Sequence, residues 1–202
     1  MTPLEGKRTR RVRIRMEDGT TFCLYEKEAR RLGLEAETEM TDEVYDHIVT
    51  ELLLPRAKKR ALHLLERQDR TRWNLSGKLS DSGYPPEVVR EALTYIESFG
   101  YVDDDRYARN YIRYHQTSRS RGRIREDLLK KGIAKDVIET ALFEEYSASE
   151  DSLMASLLRK RHFDPDTADE KERMSAFRFL IGRGFSYEAV RRAVVSPLAE
   201  SL

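Results

Sequence analysis

One sequence pattern occurs three times in the C-terminal three-quarters of the chain. Segments 78–93, 127–142 and 179–194 align without a gap, at offsets of 49 and 52 residues. Gly83, Gly132 and Gly184 occupy the same position in the three copies, and an apolar residue follows each glycine. This period excludes tetratricopeptide and ankyrin arrays. The repeat is the strongest constraint on the fold, because one structural unit must serve three times.

Each copy of the repeat predicts the end of one helix and the start of another. A glycine directly after a helix takes the left-handed conformation without a Cβ penalty, and the apolar residue behind it packs on the last turn. Three positions later an acidic residue faces the positive end of the next helix dipole. These acidic residues are Glu87, Asp136 and Glu188. A further amphipathic stretch precedes each copy, at 57–67, 106–115 and 152–161, so each repeat predicts three helices.

The first 55 residues follow a different pattern. Val12, Ile14 and Met16 alternate with polar residues, and alternation resumes at 21–25 after Asp18-Gly19, which predicts a β-hairpin. Helices are expected at 28–32 and at 41–54, the second beginning at Thr41 or Asp42 and ending before Pro55.

These patterns together predict a mainly α-helical protein. A small α+β module with a β-hairpin spans 1–55, and three tandem three-helix repeats follow at 56–100, 101–147 and 148–202. Neighbouring units of this size must pack against one another to bury enough apolar surface, so we expect an elongated and curved body.

Composition and charge exclude several classes of protein. Hydrophobic residues make up 39% and charged residues 36%, as in soluble globular proteins, and the formal net charge of +1 excludes a polybasic nucleic-acid coat. The single cysteine, Cys23, cannot form an internal disulfide, and no apolar stretch is long enough for a membrane span or a signal core. We therefore expect a cytoplasmic protein with no membrane contact.

Four motifs in a fixed order distinguish residues 56–194. They are Arg67-Gln68-Asp69-Arg70-Thr71, the segment Gly100 to Ala108, the segment Ile124 to Leu128 with Lys131-Gly132-Ile133, and Phe179-Leu180 with Arg183-Gly184-Phe185-Ser186. This set resembles the bacterial RecX family, regulators of the RecA recombinase. The chain departs from the family pattern at Asp127, where Glu is usual, and at Asn74, where an acidic capping residue is usual. It also departs at Gly122, which lies closer to Ile124 than the family's loop glycine normally does.

The resemblance implies a nine-helix body that binds RecA and lies in the groove of the RecA–DNA filament. It also implies inhibition of the filament's ATPase, recombinase and strand-exchange activities, in DNA repair and SOS regulation. A tandem array suits a periodic polymer, because successive repeats can contact successive protomers. The alternative is a helical-repeat protein that binds single-stranded nucleic acid directly. We expect a monomer.

Cationic side chains are the leading candidates for contacts with phosphates or with acidic RecA groups. Residues 106–135 contain ten basic side chains and only two acidic ones, Glu126 and Asp127. One group surrounds a predicted loop-to-helix junction and comprises Arg119, Arg121, Arg123, Arg125, Lys130 and Lys131. A second comprises Arg56, Lys58, Lys59, Arg70 and Arg72. A solvated charged face is the alternative for both, and charge reversal at Arg121 and Arg125 is expected to leave the fold intact.

Other conspicuous residues have structural explanations. Asp103 and Asp104 precede Arg106 and Tyr107 at a predicted helix start, where capping explains a run of aspartates better than a metal site does. Tyr107 shares a helical face with apolar residues and is expected in the core, whereas Tyr114 is expected to be exposed and is kept as a candidate for base stacking.

Candidates for catalysis are absent from the sequence. Cys23 lies in a predicted strand, and the four histidines lack the spacing of a metal-binding helix or of a nucleophile and its base. No glycine loop suited to cradling phosphate occurs. We predict a non-enzymatic protein without a cofactor, a metal or catalytic residues.

Overall fold

A computed structural model describes residues 10–35 and 39–194 of the chain. It forms two compact units, which meet in sequence between Val102 and Asp103 and are taken separately below. Helices dominate both units, and the described strands are confined to the first.

The first unit opens with the predicted β-hairpin, which is confirmed. Strand β1 (Arg11–Arg15) pairs antiparallel with β2 (Thr21–Tyr25), in a register that places Ile14 opposite Phe22. Alternate side chains of β2 point into the core, because successive residues of a strand face opposite sides. Phe22 and Leu24 are fully buried. A short helix, α1 (Glu26–Arg31), follows the hairpin directly.

A continuous helical segment follows, and the predicted helix end before Pro55 is wrong. Helix α2 (Asp42–His47), capped by Thr41 as predicted, runs through a wide π-type stretch (Ile48–Leu53) into α3 (Leu54–Leu65). In that stretch the Leu54 amide donates to the carbonyl of Val49, five residues earlier. A proline breaks a regular helix because its ring clashes with the carbonyl four residues back. A wide turn ahead of Pro55 shifts the carbonyls and lets the helix continue.

The three predicted three-helix repeats are present. The first is made of α3, α4 (Arg72–Asp81) and α5 (Pro86–Ser98). The second is made of α6 (Asp104–His115), α7 (Arg121–Lys130) and α8 (Lys135–Glu145). The third is made of α9 (Glu150–Lys160), α10 (Glu170–Ile181) and α11 (Tyr187–Val194).

The same glycine turn ends the middle helix of every repeat. Gly83, Gly132 and Gly184 have φ angles of +86°, +78° and +82°. In each turn the glycine amide donates to the carbonyl three residues earlier, and the next amide donates to the carbonyl five residues earlier. The apolar residue after each glycine is at most 9% exposed. This is the Schellman arrangement, which satisfies the last carbonyls of a helix.

One hydrophobic core serves the hairpin and the first repeat together. Phe22 and Leu24 belong to the same buried cluster as Leu75 and Leu79 of α4. The Cys23 amide also donates to the carbonyl of Gly83, at 3.1 Å. A Cβ on Gly83 would lie 2.6 Å from the Cys23 sulfur and 3.2 Å from the Cys23 Cβ, so any other residue here would force the Cys23 side chain to shift.

The second unit holds two hydrophobic clusters, one in each of its repeats. Ser120, only 1% exposed, joins them at the start of α7. Its amide donates to the carbonyl of Arg183 at 3.2 Å, and its hydroxyl donates to the carbonyl of Gly184 at 2.6 Å. Two repeats are therefore tied through the backbone of a glycine turn. The hairpin also docks on a glycine turn, through the main-chain amide of Cys23.

Candidate interaction surfaces

The first basic group lies where α7 begins. Ser120 is the N-cap, and its hydroxyl accepts a hydrogen bond from the Arg123 amide at 3.1 Å. Helix α7 therefore starts at Arg121 and includes Gly122 in its first turn. Arg121 and Arg125 are four residues apart on this helix and share a face.

Internal carboxylates already pair with part of this group. Arg119 contacts Asp127 at 2.5 Å and donates to the hydroxyl of Tyr111 at 2.8 Å, while Arg123 lies 3.3 Å from the other oxygen of Asp127. The side chain of Asp127 is only 12% exposed. Arg119 nevertheless keeps 35% of its side-chain surface exposed. Arg123 also lies 3.6 Å from the more exposed carboxylate of Glu126, so Asp127 and Glu126 together balance the charges of Arg119 and Arg123.

Arg125 is the member of the group most firmly held within the protein. It forms a two-pronged ion pair with Glu139 of α8, at 2.6 and 3.0 Å. Its guanidinium lowers the pKa of Glu139, and Glu139 in turn raises the pKa of Arg125. Charge reversal at Arg125 would place two carboxylates at this contact. We therefore expect that substitution to destabilise the fold, unlike the outcome expected from the sequence.

Arg121 is anchored at its backbone. Its amide donates to a carboxylate oxygen of Glu150, at 3.0 Å. Its buried Nε finds no hydrogen-bond partner among the described residues. Arg121 is half-buried rather than extended into solvent.

The two lysines that end α7 differ in their surroundings. Lys130 is exposed, whereas the ammonium of Lys131 lies 5.7 Å from the ring centre of Tyr107 and 5.4 Å from that of Tyr111. Both distances allow a cation–π interaction, which holds Lys131 against the surface of α6.

Sequence reasoning missed an arginine that lies beside the first basic group. Arg183 lines an open cavity of about 310 Å³ together with Ser118, Arg119, Arg123 and Gly182. A sequence signal for it exists, because Arg183 precedes its repeat glycine just as Lys131 does. The two cations also behave alike, since the Arg183 guanidinium lies 3.7 Å from the centre of the Phe179 ring.

The second basic group is dispersed over the first repeat. Arg56 contacts Glu28 at 2.5 Å and lies 4.5 Å from the Tyr25 ring centre, and Lys58 lies 4.4 Å from that of Tyr95. Lys59 is exposed. These contacts stabilise the packing of α3 and present no converging cationic site.

The other two members of this group join helices. Arg70 donates to the Leu64 carbonyl at 3.3 Å and to the Asn74 side chain at 2.8 Å. Arg72 forms an ion pair with Glu97 of α5, at 2.7 Å.

The aspartate run lies at a helix start. Asp103 caps α6 by accepting the Arg106 amide at 2.9 Å, and Asp104 lies in the first turn, where its charge suits the helix dipole. Within residues 10–35 and 39–194, no group of three His, Cys, Asp or Glu side chains is arranged to hold a metal ion. No described helix is both long and apolar enough to cross a membrane.

The tyrosines of α6 divide between core and surface. Tyr107 packs against the buried cluster of the second repeat, and Tyr114 is 79% exposed. The Tyr114 ring meets the His115 ring edge-on at 4.9 Å. Its outer face is therefore open to a partner.

Comparisons with known proteins agree on one family. The RecX first, second and third three-helix domains match residues 57–95, 103–142 and 149–194. Regulatory protein RecX of Vibrio vulnificus (strain CMCP6) is 35% identical over 141 residues, which cover 68% of this chain and 90% of that protein. Regulatory protein RecX of Clostridium perfringens (strain SM101 / Type A) is 23% identical over 194 residues, covering 95% and 92%.

Solved structures of similar fold carry the same family name. A crystal structure of regulatory protein RecX aligns with a TM-score of 0.62 at 25% identity, covering 91% of this chain and 94% of that one. RecX from Lactobacillus salivarius aligns with a TM-score of 0.55 at 22% identity, covering 70% and 94%. The second likeness concerns the fold alone.

Proposed function

This chain belongs to the RecX family, and from that premise we propose that it is a non-enzymatic regulator of the RecA recombinase. It binds RecA and the RecA–DNA filament, lies in the filament groove, and inhibits the ATPase, recombinase and strand-exchange activities. The observation that carries this proposal is the set of three similar three-helix repeats, in the order of the family's three domains. We further propose that the protein acts in the cytoplasm as a monomer.

The repeats support a polymeric partner on physical grounds. Each repeat ends its middle helix in the same glycine turn, and the three turns recur at intervals of 49 and 52 residues. Linked units raise one another's effective concentration once the first has bound, so contacts that are weak singly become strong together. A filament of identical protomers offers such units several equivalent sites.

The direct test measures ATP turnover by RecA on single-stranded DNA. Addition of the protein at a substoichiometric ratio is expected to lower turnover and to shorten filaments, while the same protein unfolded by heat is expected to have no effect. Unchanged turnover and filament length with the folded protein would contradict the proposal.

The N-terminal hairpin needs a test that preserves its core residues. Deleting residues 1–55 would remove Phe22 and Leu24 from the core of the first repeat, so a loss of inhibition would have a trivial cause. Arg13 and Arg15 are exposed on β1, and their replacement by alanine alters the outer face of the hairpin alone. Reduced inhibition by this variant would assign the hairpin a role in binding, and full inhibition would exclude one for these two arginines.

Direct binding of single-stranded nucleic acid is the second candidate function. The arginine-lined cavity beside α7 favours it, because three guanidinium groups line it. Two of them contact the carboxylate of Asp127, and the third, that of Arg183, has no ion pair among the described residues. If about four phosphates are neutralised, the logarithm of affinity falls with that of salt concentration at a slope near −3. An affinity independent of salt would contradict direct binding and leave the RecA proposal in place.

A further inference from the structure

We propose that the cavity lined by Arg119, Arg123 and Arg183 is a phosphate-binding pocket, and that Arg183 is its principal ligand-binding side chain. The phosphate is one backbone group of a bound single strand. This assignment rests on the second candidate function and specifies where on the chain that contact is made.

The cavity has the position and size that the assignment requires. It opens between the start of α7 and the turn after α10, and its volume is about 310 Å³. One water occupies about 30 Å³ of liquid, so a phosphate group fits with several waters. The two walls are held together by the hydrogen bonds of Ser120 to the carbonyls of Arg183 and Gly184. The pocket therefore exists before a ligand arrives.

Positive charge is in excess around the cavity. Arg119 and Arg123 share the carboxylate of Asp127, at 2.5 and 3.3 Å, and Arg123 also lies 3.6 Å from the exposed Glu126. Two carboxylates therefore face three guanidinium groups. Within the described part of the chain, no carboxylate lies within 4.0 Å of the Arg183 guanidinium. Arg161 lies on the same Phe179 ring, at 4.3 Å, and brings a further cation close by.

The pKa of Arg183 reflects this crowding. Burial lowers it most, and the positive charges of Arg161 and Arg119 lower it further. An anion placed among these groups would offset the repulsion between them, and it would do so more strongly than at an exposed site because burial weakens screening.

The shape of the donors favours phosphate over a single protein carboxylate. Guanidinium groups donate in a rigid planar fork, and a phosphate has enough oxygens to accept from several forks approaching from different directions. The Arg183 guanidinium packs on the Phe179 ring, which restricts its motion before binding and so reduces the side-chain entropy lost on binding. The surrounding segment 106–135 is strongly basic, which suits the repeated charges of a nucleic-acid strand better than an isolated anion.

The test compares Arg183→Ala with a matched control, Arg178→Ala. Arg178 is an exposed arginine of α10, the helix that precedes Arg183, and it does not line the cavity. Affinity for a fluorescent single-stranded oligonucleotide is measured by anisotropy at several salt concentrations. We expect Arg183→Ala to weaken binding about tenfold and to make the salt slope shallower by about 0.7, the value for one phosphate on a single strand. The control should leave both quantities nearly unchanged.

A second variant guards against misfolding. Arg183→Lys keeps the charge but loses the planar fork, so it should bind with intermediate affinity and with the wild-type salt slope. Inorganic pyrophosphate should compete with the oligonucleotide for binding to the wild type. It should compete poorly for binding to Arg183→Ala.

The other outcomes overturn the pocket in distinguishable ways. Equal losses in Arg183→Ala and Arg178→Ala would mean that charge acts diffusely. Loss of RecA inhibition with unchanged oligonucleotide binding would identify an acidic protein surface as the ligand. If inorganic phosphate binds without changing the affinity for the oligonucleotide, the ligand of the pocket is a free anion and not a nucleic-acid strand. A flat salt dependence of the wild type would refute nucleic-acid binding itself.

Discussion

Replacement of Gly184 by alanine tests whether the joint between the second and third repeats depends on a close backbone approach. Gly184 has φ +82°, and a Cβ there would lie 2.6 Å from the Cβ and 3.2 Å from the Cα of Arg123. Both atoms are fixed to the backbone of α7, so the clash cannot be relieved by rotating the end of a side chain.

Two costs add to give the magnitude. Alanine in the left-handed region costs about 1 kcal/mol. Relief of the clash requires the contact to lengthen from 2.6 Å to at least 3.4 Å, which moves α7 and strains the Ser120 hydrogen bonds. Overpacking of this kind costs about 1–3 kcal/mol, so we expect Gly184→Ala to lower the free energy of unfolding by about 2–4 kcal/mol.

Gly100→Ala is the matched control. Gly100 also follows a helix and also has a positive φ, +66°, but a Cβ there would meet nothing within 4 Å. Its expected cost is the conformational part alone, about 1 kcal/mol. Urea unfolding measures both variants, and hydrogen exchange of the Ser120 amide reports on the joint itself. Equal destabilisation by the two substitutions, with unchanged exchange at Ser120, would refute the close approach as the source of stability.

Three further predictions concern stability. Gly132→Val should destabilise the protein by about 1–2 kcal/mol in urea unfolding, because valine resists the φ of +78°; a neutral result would mean that this turn tolerates a side chain. His162→Gly should raise the unfolding midpoint by the equivalent of about 1 kcal/mol, since His162 follows α9 with φ +56°, and a lowered midpoint would contradict this. Burial, followed by the charge of Arg119, lowers the pKa of His115 below 6.5. The unfolded chain therefore binds a proton at higher pH than the folded chain, and stability should fall as the pH drops below about 6.5; His115→Gln should flatten this dependence and His47→Gln should not.

Local chemistry explains which parts of the fold the sequence could predict. The helix ends at Gly83, Gly132 and Gly184 follow from a few neighbouring residues, because a Schellman turn is completed within six positions. The hairpin likewise follows from alternation around Asp18-Gly19. Pro55 shows the limit of local rules, since a wide turn whose Ile48 and Leu53 are buried in the core overrides the usual helix end.

The candidate site depended on contacts that no local pattern reveals. Arg125 finds Glu139 on the next helix, and Arg119 finds Asp127 eight residues away, so two arginines expected to face a partner are paired within the protein. Arg183 joins the same region only because the third repeat folds back on α7. The register of the repeat, which equates Arg183 with Lys131, was the one available clue.

The glycine turns have a consequence for how such an array can arise and change. Cys23 and Ser120 both dock on a turn through their main-chain amides, and any residue except proline supplies that donor. A duplicated unit could thus be joined to its neighbour before its side chains had adapted to the new contact. Selection would remain free to vary the outward-facing residues of each unit, while the shared glycine preserved the junction.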